Sequence, residues 1–147
     1  MKTNEQIFRI LIEDGFSKGD VTVFDTHTSP DFVEHQHGFF PPNVEGVKKG
    51  IHNLHDAFPD FSLTIEAMVS NGDTVWGRMN GKGTHRRSFG PMPASGKTFE
   101  ITVIDIMRFK DGKLAEHWGV ADRLSLMEQL GMKAPPKLIM RMMSLFN

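Results

Sequence analysis

The stretch KTFEITVIDIMRFKDGKLAEHWGVAD, residues 97 to 122, decides the fold class of this chain. Its two halves are rich in β-branched and aromatic residues, and Asp111-Gly112 between them is a strong hairpin signal. Two earlier segments of similar composition, residues 63–70 and 74–85, are separated by a second hairpin signal at Asn71-Gly72. The second half of the chain is therefore predicted to be a meander of long antiparallel strands.

The first half of the chain has helical signals instead. Asn4 can cap a helix that runs to about Phe16, and a short helix from Asp20 stops before Pro30. An extended segment follows at residues 31–36, and then a third helix over about 44–58, whose inward residues are Val47, Ile51, Leu54 and Phe58. Helices followed by strands predict an α+β fold, with one curved sheet and helices on one face.

The end of the chain is predicted to be helical. A short helix continues from the last strand and ends at Gly131, and a C-terminal helix is expected over about 136–146. Leu138, Met142 and Leu145 form one apolar stripe on this last helix. The stripe predicts docking on the sheet, although a lid over a pocket or a dimer contact would also use it.

Length and composition narrow the class of protein. The 147 residues match one domain, spanning 1–147, and a net charge of -1 with scattered Lys and Arg gives no reason to expect nucleic acid as a partner. The sequence has no Cys, which excludes disulfides and thiolate metal sites. We expect a cytoplasmic protein, because the N-terminus lacks a signal-peptide pattern and no apolar run approaches a membrane span.

Because side chains alternate along a strand, the residues of EHWGVAD, 116 to 122, divide between the two faces of the sheet. Trp118, Val120 and Asp122 share one face with Glu116, while His117 lies among small residues on the other. We expect the bulky face to line the concave side, which would place Asp122 beside apolar walls. Asp122 also precedes a helix and could be its N-cap; a cap would lower its pKa, whereas an apolar pocket would raise it.

The neighbouring strands add three candidates, the aromatic Trp76 and the charged Arg78 and Asp105. Trp76 and Arg78 share one face, where Arg78 could anchor an anion or could simply stack on Trp76 at the surface. Asp105 falls on an otherwise apolar face and needs a partner, which we expect to be Arg78 or a His.

Metal and cofactor patterns are weak. The pairs His35/His37 and His52/His55 have spacings that zinc ligands use, but no HExxH helix completes a site. The Gly-containing loops match neither phosphate-binding nor dinucleotide-binding fingerprints. We therefore expect no metal and no cofactor.

Several motifs, in their order along the chain, resemble the SnoaL-like polyketide cyclase family, also called ester cyclases. They are DFVEHQ at 31–36, AFPDF at 57–61, GTH at 83–85 and, most specifically, RFKDGKLAEHWGVADRLSLMEQLG at 108–131. The resemblance implies the nuclear transport factor 2-like fold, a cone-shaped α+β barrel around a hydrophobic pocket. It also implies ring closure of an aromatic polyketide ester by intramolecular aldol condensation, without cofactor or metal.

Site residues follow partly from this resemblance. It implies that Asp122 is the acid/base group, that His35 and His85 lie near the pocket, and that Trp118 lines it. The catalytic candidates are Asp122, His35, His85 and Arg78. The substrate-binding candidates are Trp118, Trp76, Asp105, Phe58 and His55.

Three functions stay open at this point. The first is an acid/base enzyme of the cyclase, isomerase or lyase kind that acts on a small hydrophobic molecule. The second is a binding module in which Asp122 only caps a helix. The third resembles an epoxide hydrolase, and it requires Asp105, Arg78 and Asp122 on one pocket wall. For any of them we expect a homodimer packed sheet to sheet, because the convex sheet face needs cover.

Overall fold

The structure is a computed structural model that describes residues 1–132. Its helices are α1 (Asn4–Arg9), α2 (Thr22–His27), α3 (Val44–Ala57) and α4 (Arg123–Gln129), with a π-helix over Ile10–Ser17 that continues α1. Its strands are β1 (Thr28–Glu34), β2 (Ser62–Asn71), β3 (Thr74–Thr84), β4 (Thr98–Lys110) and β5 (Lys113–Ala121). The predicted α+β class is confirmed. The predicted C-terminal helix over about 136–146 lies outside the described residues.

The five strands form one curved, unclosed sheet in the order β1-β5-β4-β3-β2. The meander from β2 to β5 is antiparallel throughout, as the two hairpin signals predict. β1 joins β5 in parallel, which places the DFVEHQ segment beside the EHWGVAD segment. This pairing brings together residues about eighty positions apart in the chain.

The helices cover one face of the sheet and bury its apolar side chains. The inner face of β3 and β4 contributes Val75, Met79, Ile101, Val103 and Met107, and the N-terminal helical segment packs Phe8, Leu11 and Ile12 onto it. Gly77 permits this contact, because a Cβ placed there would lie 2.4 Å from Cζ of Phe8.

The third helix forms as predicted, whereas the start of the first helix differs. Val47, Ile51 and Phe58 are buried, and Asn43 caps α3. The first helix begins one residue earlier than predicted, because Thr3 rather than Asn4 is its N-cap and exchanges side-chain bonds with Gln6.

The π-helix turns the chain so that Phe16 is buried towards the sheet. Two contacts hold its end: Nε2 of His55 lies 2.8 Å from the Phe16 carbonyl oxygen, and the backbone N–H of Leu63 donates to Oγ of Ser17 at 2.8 Å. π-Helical turns are rare and often occur at functional sites.

The predicted orientation of β5 is wrong. His117 is 1% exposed and faces the core, whereas Trp118 and Val120 lie on the outer face, where Val120 is 71% exposed. The physical reason is space: the small residues on the His117 face let other side chains approach the strand closely. A Cβ at Gly119 would lie 1.9 Å from Oε1 of Gln36.

Candidate functional site

Three ionisable side chains meet on the inner face of the sheet, buried among apolar residues. They are Glu34 of β1, Asp105 of β4 and His117 of β5, and none is more than 4% exposed. The strand register explains their meeting: His117 pairs with Glu34, and Asp105 pairs with Gly119, two residues beyond His117. Asp105 is thus the diagonal neighbour of His117 on the same face.

The imidazole of His117 lies between the two carboxylates. Nδ1 is 2.8 Å from Oε2 of Glu34, and Oε1 of Glu34 accepts a bond of 2.7 Å from the backbone N–H of Gln36. Nε2 is 3.4 Å from Oδ1 of Asp105, which is an ion-pair distance without hydrogen-bond geometry, and within residues 1–132 neither atom has a hydrogen-bond partner. Glu34 therefore fixes the ring, and Nε2 faces the Asp105 carboxylate as its ion-pair partner.

The charges of the cluster determine its protonation. Burial alone would lower the pKa of His117, but the carboxylates of Asp105 and Glu34 outweigh it and raise that pKa to about 10. His117 is therefore an imidazolium at neutral pH, with N–H donors at both ring nitrogens. An acid and a carboxylate base thus stand side by side in a dry environment.

Apolar groups and one amide surround the pair. The Phe16 ring centroid is 6.1 Å from that of His117. The Gln36 carboxamide lies over Gly119, where an added Cβ would be 2.7 Å from Oδ1 of Asp105. Asp105 pairs with glycine on both flanking strands, Gly77 and Gly119, so neither of its in-register neighbours carries a Cβ.

Asp122 does not lie beside the apolar walls expected for a pocket residue. It is exposed at the end of β5, and its Oδ1 accepts from the backbone N–H of Ser125 at 3.0 Å. It is thus the N-cap of α4, the second of the two roles that the sequence left open. Its part in catalysis stays a prediction.

His35 and Trp118 lie together on the outer face. Their rings stack at 4.7 Å, and Nε2 of His35 lies 3.1 Å from Oε1 of Glu116. Glu116 also accepts from Nε of Arg108 at 2.6 Å, and the two contacts lower the pKa of Glu116, with the Arg108 bond the larger cause. These residues are on the side of the sheet opposite His117.

Trp76 and Arg78 are also on the outer face, where Arg78 pairs with Glu66. Of the two partners expected for Asp105, a His or Arg78, the structure gives a His, which is His117. The epoxide-hydrolase arrangement is contradicted, because Asp105 is buried inside, Arg78 points outside and Asp122 caps a helix.

His85 and Phe58 meet at another part of the core. His85 is buried, its ring centroid is 5.3 Å from that of Phe58, and its Nδ1 accepts from the backbone N–H of Ser95 at 3.3 Å. His55 bonds the Phe16 carbonyl, as described above. The structure thus disperses the predicted site residues and brings only Asp105 to the buried cluster.

Sequence reasoning missed Glu34 and His117 as site residues. Alternation in DFVE places Glu34 on the same face as the buried Phe32, and His117 was the polar exception on a face of small residues. A polar group on an otherwise inward face was the available signal in both strands.

Other features of residues 1–132 bear on the chemistry. No group of three His, Asp or Glu within this range could hold a metal ion. None of its helices is both long and apolar enough to cross a membrane. Two open concavities, of about 430 and 530 Å³, lie away from His117, and their linings include Asp60, Thr84 and Gln129 in one and Asn53, Phe89 and Met92 in the other.

The profile of the family described as SnoaL-like polyketide cyclase matches residues 7–130. Among curated proteins, no sequence matches the chain significantly.

Solved structures resemble the chain over most of its length. TsrD from Streptomyces laurentii is 29% identical, with a TM-score of 0.79 over 88% of this chain and 95% of that one. IdmH from Streptomyces antibioticus, a candidate polyketide cyclase, is 29% identical, with a TM-score of 0.78 over 88% and 99% of the two chains. A candidate SnoaL-like polyketide cyclase from Jannaschia sp. CCS1 is 21% identical with a TM-score of 0.79 over 90% and 93%, a likeness of fold alone.

Proposed function

We propose that this chain, which belongs to the SnoaL-like polyketide cyclase family, is an acid/base enzyme that closes a ring in a small hydrophobic carbonyl or ester substrate. One observation carries the proposal: Nε2 of His117 and Oδ1 of Asp105 are buried and face each other at 3.4 Å, and in the described part of the chain, residues 1–132, neither has a hydrogen-bond partner. Buried polar atoms in folded proteins nearly always have a hydrogen-bond partner, so two unpaired ones indicate a place where a bound group supplies the missing hydrogen bonds. The likeness to IdmH supports the same reaction class.

The two residues divide the proton transfers between them. The Asp105 carboxylate removes a proton from a carbon that lies between two electron-withdrawing groups, and the His117 imidazolium stabilises the enolate oxygen. The carbanion then forms a carbon–carbon bond to an electrophilic carbonyl of the same molecule. The resulting alkoxide takes the Nε2 proton of His117, and the proton on Asp105 returns to Nε2, which restores both groups. This cycle needs no cofactor.

Glu34 acts as a positioning residue in this scheme. Its bond to Nδ1 fixes the ring so that Nε2 faces Asp105, and its charge helps to keep His117 protonated. The arrangement resembles other acid/base sites in which a carboxylate orients an imidazole.

A binding module is the second candidate, and the position of Asp122 favours it. If Asp122 were the sole acid/base group, its carboxylate would already be used for the α4 cap. The same fold would then hold an apolar ligand without converting it.

Turnover of polycyclic β-keto esters and hydrophobic lactones by wild-type protein, Asp105→Asn and Asp122→Asn separates these possibilities. Both variants keep side-chain size and remove a titratable group. We expect Asp105→Asn to lose at least about 100-fold in kcat, the usual contribution of a general base, and Asp122→Asn to stay within a few-fold of wild type.

The opposite ranking would return the acid/base role to Asp122. Binding of these compounds, measured by thermal shift, without turnover by any of the three proteins would favour the binding module.

A homodimer is proposed for the assembly, in agreement with the expectation from sequence. One row of side chains crosses the outer face over four strands in register: Val69, Trp76, Ile106 and Trp118. The neighbouring Ile104 and Val120 are also exposed. A second copy packed against this face would remove the apolar row from water.

A further inference from the structure

The proposed acid/base pair is closed to solvent. His117 and Asp105 are each buried to within 3% of full coverage, and the two open concavities described above lie elsewhere. A substrate can therefore reach Nε2 and Oδ1 only if some covering segment moves.

The covering layer near Asp105 includes an irregular segment of the chain. Residues 36–40, called here the 36–40 loop, lie between β1 and α3 and belong to no helix or strand. The loop carries Gln36, whose carboxamide fills the space over Gly119 beside Oδ1 of Asp105. The amide thus occupies the place where a polar group of a substrate would meet Asp105.

Both ends of the loop are anchored to the fold. The backbone N–H of His35 donates to the His117 carbonyl oxygen at 2.8 Å, and the backbone N–H of Glu34 donates to the Pro42 carbonyl oxygen at 3.1 Å. The Pro41 carbonyl packs onto Gly46, where an added Cβ would lie 1.8 Å away. A movement of the loop can therefore leave β1 and α3 in place.

Between these anchors, the backbone N–H of Gln36 donates to Oε1 of Glu34 at 2.7 Å, and the Phe39 ring packs edge-on against Phe16 with centroids 6.2 Å apart. Phe39 lies in a slot of α3 that Gly50 creates, since a Cβ there would be 2.2 Å from Cε1 of the ring. The Arg123 side chain donates to the His37 carbonyl oxygen. Gly38 has φ +110°, which a residue with a side chain rarely adopts. Irregular segments on the surface open locally at a lower free-energy cost than the helices and strands that flank them, and Phe39 is the main apolar contact that such an opening would break.

We propose that the 36–40 loop is a lid over the His117–Asp105 pair, that Phe39 in the Gly50 slot is its latch, and that the Gln36 amide is displaced from Asp105 when a substrate enters. The nature of the entering group, a carbonyl or enol oxygen, rests on the proposed function. The opening itself rests only on the packing.

Solvent access to His117 tests the lid without any substrate. The probe is the soluble nitroxide TEMPOL, which broadens the NMR signals of protons that it can approach. In Phe39→Ala, we expect TEMPOL to broaden the imidazole proton signals of His117 several-fold more than in wild-type protein. Phe40→Ala is the matched control, because Phe40 is the adjacent residue and is 79% exposed; its His117 signals should match those of wild type.

Phe39→Leu provides a second test if Phe39→Ala does not fold, because it keeps an apolar side chain and leaves the slot only partly filled. Its His117 signals should broaden by an intermediate amount. Folded Phe39 variants in which His117 stays as protected as in wild type, or equal broadening in Phe40→Ala, would overturn the lid. Loss of turnover in Asp105→Asn together with such protection would mean that the function stands and the substrate enters elsewhere.

Discussion

On strand β5 the inner face carries His117 and the outer face carries Trp118 and Val120. The inner face buries an imidazole with two carboxylates, while the outer face exposes an apolar row that ion pairs flank. This reverses the usual distribution, in which charges face water and bulky apolar groups face the core. The difference fits the two proposed roles, acid/base chemistry at the inner face and association between copies at the outer face.

Removing one carboxylate from each face of the sheet should give the largest difference in the free energy of unfolding. In Glu34→Ala, the buried His117 loses its hydrogen-bond partner, and we expect a loss of about 3–5 kcal/mol in the free energy of unfolding, typical of a broken buried pair. In Glu116→Ala, a partly exposed ion pair is lost and the cost should be about 1 kcal/mol or less. Urea unfolding measures both, and equal losses would contradict the contrast between the faces.

Substitution of Asp122, at the end of β5, should change the free energy of unfolding less. Asp122→Ala removes the cap of α4, which we expect to cost about 1 kcal/mol in the free energy of unfolding. Asp122→Ser can restore a capping oxygen and should recover most of that loss. Failure of Ser to recover stability would show that the carboxylate does more than cap the helix.

A substitution on the outer face should give the smallest change in the free energy of unfolding of the monomer. Val120→Asp places a charge in the exposed apolar row, so we expect it to abolish the proposed homodimer while changing monomer stability by no more than about 0.5 kcal/mol. Light scattering at micromolar concentration measures the mass. Lys110→Asp, at an exposed position at the end of β4, is the control and should leave the dimer intact. A wild-type mass near 16.6 kDa would contradict the dimer itself.

Local signals predicted the fold better than they predicted the site. The hairpin turns at Asn71-Gly72 and Asp111-Gly112 form as expected, with positive φ at Gly72, Asp111 and Gly112. Turn chemistry of this kind depends on adjacent residues, so the sequence alone determines it.

The buried cluster depends on non-local pairing, which no local pattern contains. Glu34 meets His117 only because β1 joins β5 in parallel, and the inner face of β5 is the less bulky one because Gln36 occupies the space over Gly119. The alternation of side chains along β5 correctly placed His117 and Trp118 on opposite faces. The size of the side chains, however, was a poor guide to which face lies inside. Asp105 was placed correctly because it stood alone on a strand face that was otherwise apolar.

The central claim is that His117 is a buried imidazolium held beside Asp105, and a ¹⁵N NMR titration of the His117 ring tests it most directly. We expect both ring nitrogens to carry protons at about pH 8 and the ring to titrate near pH 10, well above the ordinary 6.5. Because the folded-state pKa is raised, the stability from this charge should be complete below about pH 6.5 and lost as pH rises towards 10. A neutral ring at about pH 8, or a titration at or below 6.5, would contradict the account.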